Sequence, residues 1–223
     1  MTNGDEQVPD DSARRSALDL LLEGGMAADA VDHARQVAMI TSIVASAFED
    51  AGMQVTLVGG SAIEVHAPGI FKSGDIDLVI EALRGPTQRD RLDPVFARLG
   101  FERSGRHWKR GELFVEVPSL EMSDPTQLVR VGLFPLRIVV REVLLSDRVV
   151  GFKHWKHTSY GEQAIEMIVA FGKDLDTASL RDRLRRESAV DAFEALEGMA
   201  AAGKVVTEEA LQALLEQLHA LGR

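Results

Sequence analysis

Two apolar runs separated by a polar turn, within Val55 to Ile80, constrain the fold of this chain more than any other stretch. The first run, Gln54 to Val58, is short and uninterrupted, which is typical of a central strand. It breaks at Gly59-Gly60-Ser61, and the second run, Asp75 to Ile80, begins with two aspartates one residue apart. We therefore predict two buried strands joined by a turn, a short helix and a loop.

The two carboxylates at the head of the second strand give the first indication of chemistry. Residues two apart in a strand project from the same face, so Asp75 and Asp77 point together. Like charges this close repel each other, and a divalent cation relieves the repulsion while both groups stay ionised. Magnesium or manganese suits such oxygen ligands. The alternative is a strand end that carries two solvated acids.

The Gly59-Gly60-Ser61 turn gives the second indication. Glycines allow a ligand to approach the backbone closely, and the amides at the start of a helix can face a phosphate. Ser61 would add its hydroxyl, so Gly59, Gly60 and Ser61 are candidate nucleotide-binding residues. The alternative is an ordinary helix start, because Ser61 and Glu64 have the spacing of a capping box.

A third carboxylate is predicted on a later strand. Residues Phe101 to Lys109 and Glu112 to Val117 are typical of two strands joined by a tight turn at Arg110-Gly111. Glu116 is a lone acid within the apolar second strand, and we expect it to complete a metal site or to act as a general base. Glu112 is the fallback on the same face. The alternative for Glu116 is a solvated glutamate on an edge strand.

The segment Phe152 to His157, Phe-Lys-His-Trp-Lys-His, is basic and aromatic within an acidic chain. Lys153 shares a helix face with Lys156 and His157, and we predict that Lys153 binds the phosphates of a nucleotide. The alternative is a solvated helix face with its tryptophan turned inward. Two other histidines, His66 and His107, are interpreted as structural.

Composition excludes several classes of protein. The chain has 223 residues, no cysteine and a formal net charge of -10. Disulfides and thiolate metal sites are therefore excluded, and a general electrostatic attraction to nucleic acid or to anionic membranes is disfavoured. No apolar run approaches the roughly 20 residues of a membrane span. We expect a soluble cytoplasmic protein with no membrane partner.

The chain changes character near residue 145. Before this point strands and helices alternate, with one helix predicted over Thr87 to Leu99. After it every segment has the spacing and the caps of helices, and the first is predicted over Asp147 to Lys156 with Ser146 as its cap. We predict an α+β fold, with a mixed sheet flanked by helices and followed by a C-terminal helical region. The expected divisions are a lead-in with a short helix over 1–27, an α/β domain over 28–145 and a helical domain over 146–223.

Gly59-Gly60-Ser61 followed by Asp75-Ile76-Asp77 resembles the signature of the DNA polymerase beta-type nucleotidyltransferase superfamily. In that superfamily a Gly-Ser turn precedes an Asp-x-Asp strand, and a third acid lies on a later strand. The resemblance covers residues 54–118. Within the superfamily, the chain looks most like small prokaryotic nucleotidyltransferase-like proteins that are uncharacterised or associated with toxin–antitoxin pairs.

The resemblance implies transfer of a nucleoside monophosphate from a nucleoside triphosphate such as ATP to an acceptor, with release of pyrophosphate. It assigns the metal, Mg or Mn, to Asp75, Asp77 and Glu116, and the nucleotide phosphates to Gly60 and Ser61. The expected acceptor is an RNA such as tRNA, a protein or a small molecule. The alternatives are an inactive binding or regulatory protein with the same fold, such as one half of a toxin–antitoxin pair with a protein partner, and a phosphohydrolase.

Overall fold

The computed structural model describes residues 10–86, 88–131, 134–203 and 205–221. Within them the chain forms nine α-helices and seven β-strands, which confirms the predicted α+β class. The chain divides into two compact units. The first contains the chain up to Val65 together with Lys72–Ile138, and the second contains His66–Phe71 and the chain from Val139 onward.

The first part of the chain contains four helices and all seven strands. The helices are α1 (Asp11–Leu22), α2 (Ala30–Asp50), α3 (Gly59–His66) and α4 (Leu92–Arg98). The strands are β1 (Met53–Leu57), β2 (Ile76–Ala82), β3 (Glu102–Ser104), β4 (His107–Arg110), β5 (Leu113–Ser119), β6 (Thr126–Val131) and β7 (Phe134–Val139).

The strands form one mixed sheet in the order β3-β4-β5-β2-β1-β7-β6. β1 pairs antiparallel with β2 and parallel with β7. β2 pairs parallel with β5, and β5 pairs antiparallel with β4. β1 and β2 are therefore central, as their apolar sequences predict, and β4 and β5 stand beside the start of β2.

An aromatic cluster joins one face of the sheet to α2 and α4. The ring centroid of Phe96 on α4 lies 4.9 Å from that of Phe48 on α2 and 4.5 Å from that of Trp108 on β4. All three side chains are buried. The indole Nε1–H of Trp108 donates to Asp93 at 2.9 Å, so its polar group is satisfied. This cluster fixes which side of β4 faces the core.

The second unit contains the remaining helices, which are α5 (Arg141–Trp155), α6 (Thr158–Phe171), α7 (Thr177–Arg186), α8 (Val190–Ala201) and α9 (Glu208–Leu221). Gly161 allows α5 and α6 to approach closely, because a Cβ atom there would lie 2.6 Å from Cδ2 of Phe152. Among the helices that the structure describes, none is both long and apolar enough to cross a bilayer.

Two helix starts differ from the sequence prediction. α5 begins at Arg141 instead of Asp147, since Val143 and Leu144 are buried and continue its apolar face, and Ser146 lies buried inside the helix instead of capping it. The predicted start of α4, Thr87, lies outside the described residues, and the helix begins at Leu92 after a 3₁₀ turn, Arg89–Arg91. Pro94 falls in its first turn, where the missing N–H has no intrahelical partner to lose.

Candidate metal centre

The pairing register of β2, β5 and β4 brings the predicted metal-binding acids of the first unit side by side. Asp77 on β2 is the parallel partner of Glu116 on β5, and Glu116 is the antiparallel partner of His107 on β4. Asp75 lies immediately before β2, two residues from Asp77. Side chains directly opposite each other on paired strands share a face, so these four residues project from one end of the same sheet face.

The opposite face of the same three strands belongs to the core. Ile76, Val115 and Trp108 are register partners and are buried. Because the side chains of a strand alternate, this burial turns the intervening residues Glu116 and His107 away from the core. Their side chains are 17% and 24% exposed, which leaves them within reach of a solute.

Asp75, His107 and Glu116 form the candidate metal centre. Each offers one ligand atom, and all three atoms lie within 4.8 Å of one another. The Nε2 atom of His107 is 3.6 Å from Oδ2 of Asp75 and 3.4 Å from Oε2 of Glu116. Arg106 lies at the rim, with its side chain 73% exposed and its NH2 atom 3.4 Å from the same glutamate oxygen.

Asp77 lies against the first turn of α3, which begins at Gly59. Its carboxylate is so close to Gly59 that a Cβ atom at the glycine would lie 2.9 Å from Cγ of Asp77. The backbone N–H of Asp77 donates to Oγ of Ser61 at 3.0 Å, and its carbonyl accepts from the amide of Val58 at the same distance. The turn therefore positions the start of β2.

The capping-box alternative for this turn is wrong. α3 begins at Gly59, so Ser61 lies inside the helix, where its side chain is buried and donates to the carbonyl of Val58. Glu64 is buried and contacts Nδ1 of His33, and it accepts from the amide of Ser73 at 3.3 Å. A role for Gly59, Gly60 and Ser61 in binding phosphate stays a prediction.

Lys153 lies on α5 in the second unit, where it makes two polar contacts. Its Nζ donates to the carbonyl of Ser188 at 2.5 Å and to Asp191 at 2.6 Å. Burial opposes the ionisation of Asp191, but the bond and charge of Lys153, with the amide of Ala192, hold the pKa of Asp191 below its ordinary value. The predicted contact of Lys153 with nucleotide stays a prediction.

His107 is the residue of the cluster that sequence reasoning misses. Its sequence context suggests a structural role, yet it lies opposite Glu116 with its Nε2 between two carboxylates. The turn between β4 and β5 is the sequence feature that could have predicted this contact. Its two-residue loop pairs Arg110 with Leu113, which fixes the register of the hairpin and brings His107 opposite Glu116. Glu112, the fallback acid, lies in that exposed turn.

The donor set of the cluster fits a divalent cation. Carboxylate oxygens and a neutral imidazole nitrogen are ordinary ligands of divalent ions, and the two acids supply the charge that such an ion balances. The three strands hold these groups on a rigid sheet. Asp75, His107 and Glu116 would thus supply three ligands, and a metal role for Asp77, the next acid along the sheet, stays a prediction.

Comparison with known proteins found similarity only among solved structures. No family model matches the chain, and no curated protein matches its sequence. One similar structure is an antigenic nucleotidyltransferase-like protein from Paracoccidioides brasiliensis, with 14% identity, a TM-score of 0.47 and coverage of 71% of this chain and 92% of that one.

Two further structures are of ANT(2″)-Ia. The crystal structure in complex with adenylyl-2″-tobramycin has 19% identity and a TM-score of 0.46, over 69% of this chain and 99% of that one. The solution structure of this antibiotic-resistance factor has 19% identity and a TM-score of 0.45, with coverage of 70% of this chain and 94% of that one.

Proposed function

We propose that this chain is a metal-dependent nucleotidyltransferase, which transfers a nucleoside monophosphate from a nucleoside triphosphate to an acceptor hydroxyl. The observation that carries the proposal is the register of β2, β5 and β4. It places Asp75 and Glu116 close together on one sheet face, and it puts Asp77 beside Glu116 at the mouth of the Gly59-Gly60-Ser61 turn.

The proposed roles follow from the placement of each residue. Asp75, Glu116 and His107 would hold a divalent cation, which when bound would neutralise and orient phosphate groups. Asp77 is fixed through its backbone by Ser61 and Val58, and its carboxylate lies against Gly59, so the residue is positioned before substrate binds. The first amides of α3, at Gly59 and Gly60, are the proposed donors to phosphate oxygens.

The proposed reaction is a single displacement at the α-phosphorus. The acceptor oxygen forms a bond to that phosphorus, and the bond from phosphorus to the bridging oxygen of the β-phosphate breaks, so pyrophosphate leaves with the electron pair. The carboxylate of Glu116, half-buried and on the reacting face, takes the proton of the attacking hydroxyl. Sugars of RNA, hydroxyl side chains of proteins and small alcohols meet this requirement.

The test is label transfer and pyrophosphate release with each of the four nucleoside triphosphates. Wild-type protein is incubated with α-labelled nucleotide, magnesium or manganese, and separate pools of tRNA, protein and hydroxylated small molecules. Asp75→Asn and Glu116→Gln are expected to lower transfer by about 100-fold or more, the scale seen when charge stabilisation is removed from an active site. Asp90→Asn, which changes an exposed acid of the turn before α4, is the matched control.

Three results would count against the proposal. Equal transfer by wild type and both site variants would remove these acids from the reaction. Release of inorganic phosphate instead of pyrophosphate would indicate a phosphohydrolase. Absence of transfer under every condition, together with tight binding of a protein partner by wild type and by Asp75→Asn, would favour a binding or regulatory protein.

A further inference from the structure

We propose that the metal centre is a mixed imidazole–carboxylate site, in which Nε2 of His107 is a ligand and which binds divalent transition metals in preference to magnesium. The inference rests on the proposed function, because it assigns the cation of the same site. Its evidence is the placement of a histidine between two carboxylates that come from other segments of the sheet.

The spacing of the ligand atoms is the first argument. The two contacts of Nε2, at 3.6 Å to Asp75 and 3.4 Å to Glu116, are longer than the roughly 2.7–3.2 Å of a direct hydrogen bond. Two atoms that bind one ion at about 2.1 Å lie about 3.0 Å apart at octahedral angles and about 3.4 Å apart at tetrahedral angles. The imidazole and the carboxylates therefore stand at the separation of ligands around a shared ion.

The support of the imidazole ring is the second argument. His107 is held by the pairing of β4 with β5, and the adjacent Trp108 is buried in the core. The ring of His107 also packs edge-on against Phe114, with centroids 5.9 Å apart and planes at 81°. A ligand held by a rigid strand and a packed neighbour loses little freedom when it binds an ion.

The chemistry of the nitrogen ligand is the third argument. Magnesium takes oxygen ligands in octahedral geometry and keeps several waters, whereas imidazole suits zinc, nickel and the neighbouring transition metals. The affinity of a site with nitrogen and oxygen ligands rises from Mn²⁺ through Co²⁺ to Ni²⁺. We therefore expect the order Mg²⁺, Mn²⁺, Co²⁺, Ni²⁺ from weakest to tightest.

The experiment measures metal binding by the full chain in the absence of nucleotide. Calorimetric titration with each of the four ions gives affinities, and visible absorption of bound Co²⁺ reports its ligands. We expect wild type to bind Co²⁺ at least about tenfold more tightly than Mg²⁺. His107→Asn is expected to weaken Co²⁺ binding by about tenfold to 100-fold and to leave Mg²⁺ binding within about twofold.

The control variant is His157→Asn, which changes an exposed histidine of the second unit. Its affinities are expected to equal those of wild type. Circular dichroism and thermal melting in chelator establish that His107→Asn is folded. Pulsed electron paramagnetic resonance of Mn²⁺ bound to wild type needs no variant, and coupling to a ¹⁴N nucleus of imidazole is the expected signal.

Two outcomes overturn the inference. One is a Co²⁺ affinity of His107→Asn equal to that of wild type, together with a Mn²⁺ spectrum that lacks nitrogen coupling. This result would mean that His107 only pairs with the two acids. The other is equal affinity of wild type for Mg²⁺ and Co²⁺. Failure of the proposed function is a separate result, since nitrogen ligation without nucleotidyl transfer would leave this inference standing.

Discussion

Gly59 and Asp77 are in direct contact, with the backbone of the glycine against the carboxylate of the aspartate. Gly59 has φ +62°, and a Cβ atom there would lie 2.9 Å from Cγ and 3.1 Å from Cβ of Asp77. Glycine is needed at this position for two reasons, because an L side chain is strained at such a φ and because no room remains beside the carboxylate.

Gly59→Ala is therefore expected to displace Asp77 as well as to strain the turn. The matched control is Gly85→Ala, since Gly85 has φ +73° but a Cβ atom added there would meet nothing within 4 Å. We expect the control to lose about 1 kcal/mol of unfolding free energy from strain alone, and Gly59→Ala to lose about 1–3 kcal/mol more from overpacking. Urea unfolding measures both, and equal losses would contradict the contact.

Glu64 and His33 form a buried polar pair behind the same turn. The side chains are 2% and 4% exposed, and Glu64 also accepts the amide of Ser73 in the loop that leads to Asp75. Removing one partner leaves the other buried and unsatisfied. We expect Glu64→Ala to lower the unfolding free energy by about 1–3 kcal/mol.

The control for Glu64 is Glu194→Ala. Glu194 pairs with Arg181 at 2.7 Å but is 56% exposed, so its loss is expected to cost at most about 1 kcal/mol. A double-mutant cycle with His33→Ala isolates the buried pair. Additive losses in that cycle would show that the two side chains are not coupled, against expectation.

The site shows which features follow from sequence and which do not. The proximity of Asp75 and Asp77 follows from strand periodicity alone, and Glu116 stands out because a lone acid interrupts an apolar strand. His107 requires the register of the hairpin, since its neighbours in sequence give no sign of a carboxylate opposite it. Pairing between strands is decided by turn geometry and packing, which local patterns describe only in part.

The same limit explains why the role of Glu64 differs from the one its sequence spacing suggests. Its spacing from Ser61 matches a local capping pattern, but its partner His33 is 31 residues away on α2. Both groups are buried, where a hydrogen bond is electrostatically stronger than in water. The predicted start of α5, Asp147, is wrong for a simpler reason. Ser146 has the chemistry of a helix cap, but apolar residues continue the helix on its N-terminal side.

Substitution of Lys153 tests whether its side chain stabilises the fold or binds nucleotide. Its bonds to Ser188 and Asp191 link α5 to the start of α8, so we expect Lys153→Met to lower the unfolding free energy by about 1 kcal/mol. Lys156→Met, at an exposed position three residues on, is the comparison and is expected to change it less. An unchanged stability together with ATP affinity weakened by tenfold or more would instead assign Lys153 to the nucleotide.

His66 is expected to make the stability of the protein depend on pH. Burial lowers the pKa of His66 from its ordinary value of 6.5, the bond from its Nε2 to the carbonyl of Val139 opposes this, and the charge of Arg141 adds to the lowering. Between pH 6.5 and the lower pKa of the folded state, the unfolded chain binds more protons at this site. Its contribution to stability is therefore complete above about pH 6.5 and is lost as the pH falls through that window.

His66→Gln removes the titrating group and keeps an N–H that can donate to Val139. We expect the difference in unfolding free energy between wild type and His66→Gln to shrink as the pH falls from 7.5 to 5, because only wild type loses this contribution. Chemical unfolding at intervals of half a pH unit measures it. His154→Gln, which removes an exposed histidine, is the comparison variant. Parallel profiles for wild type and His66→Gln would mean that His66 has the same pKa in the folded and unfolded states.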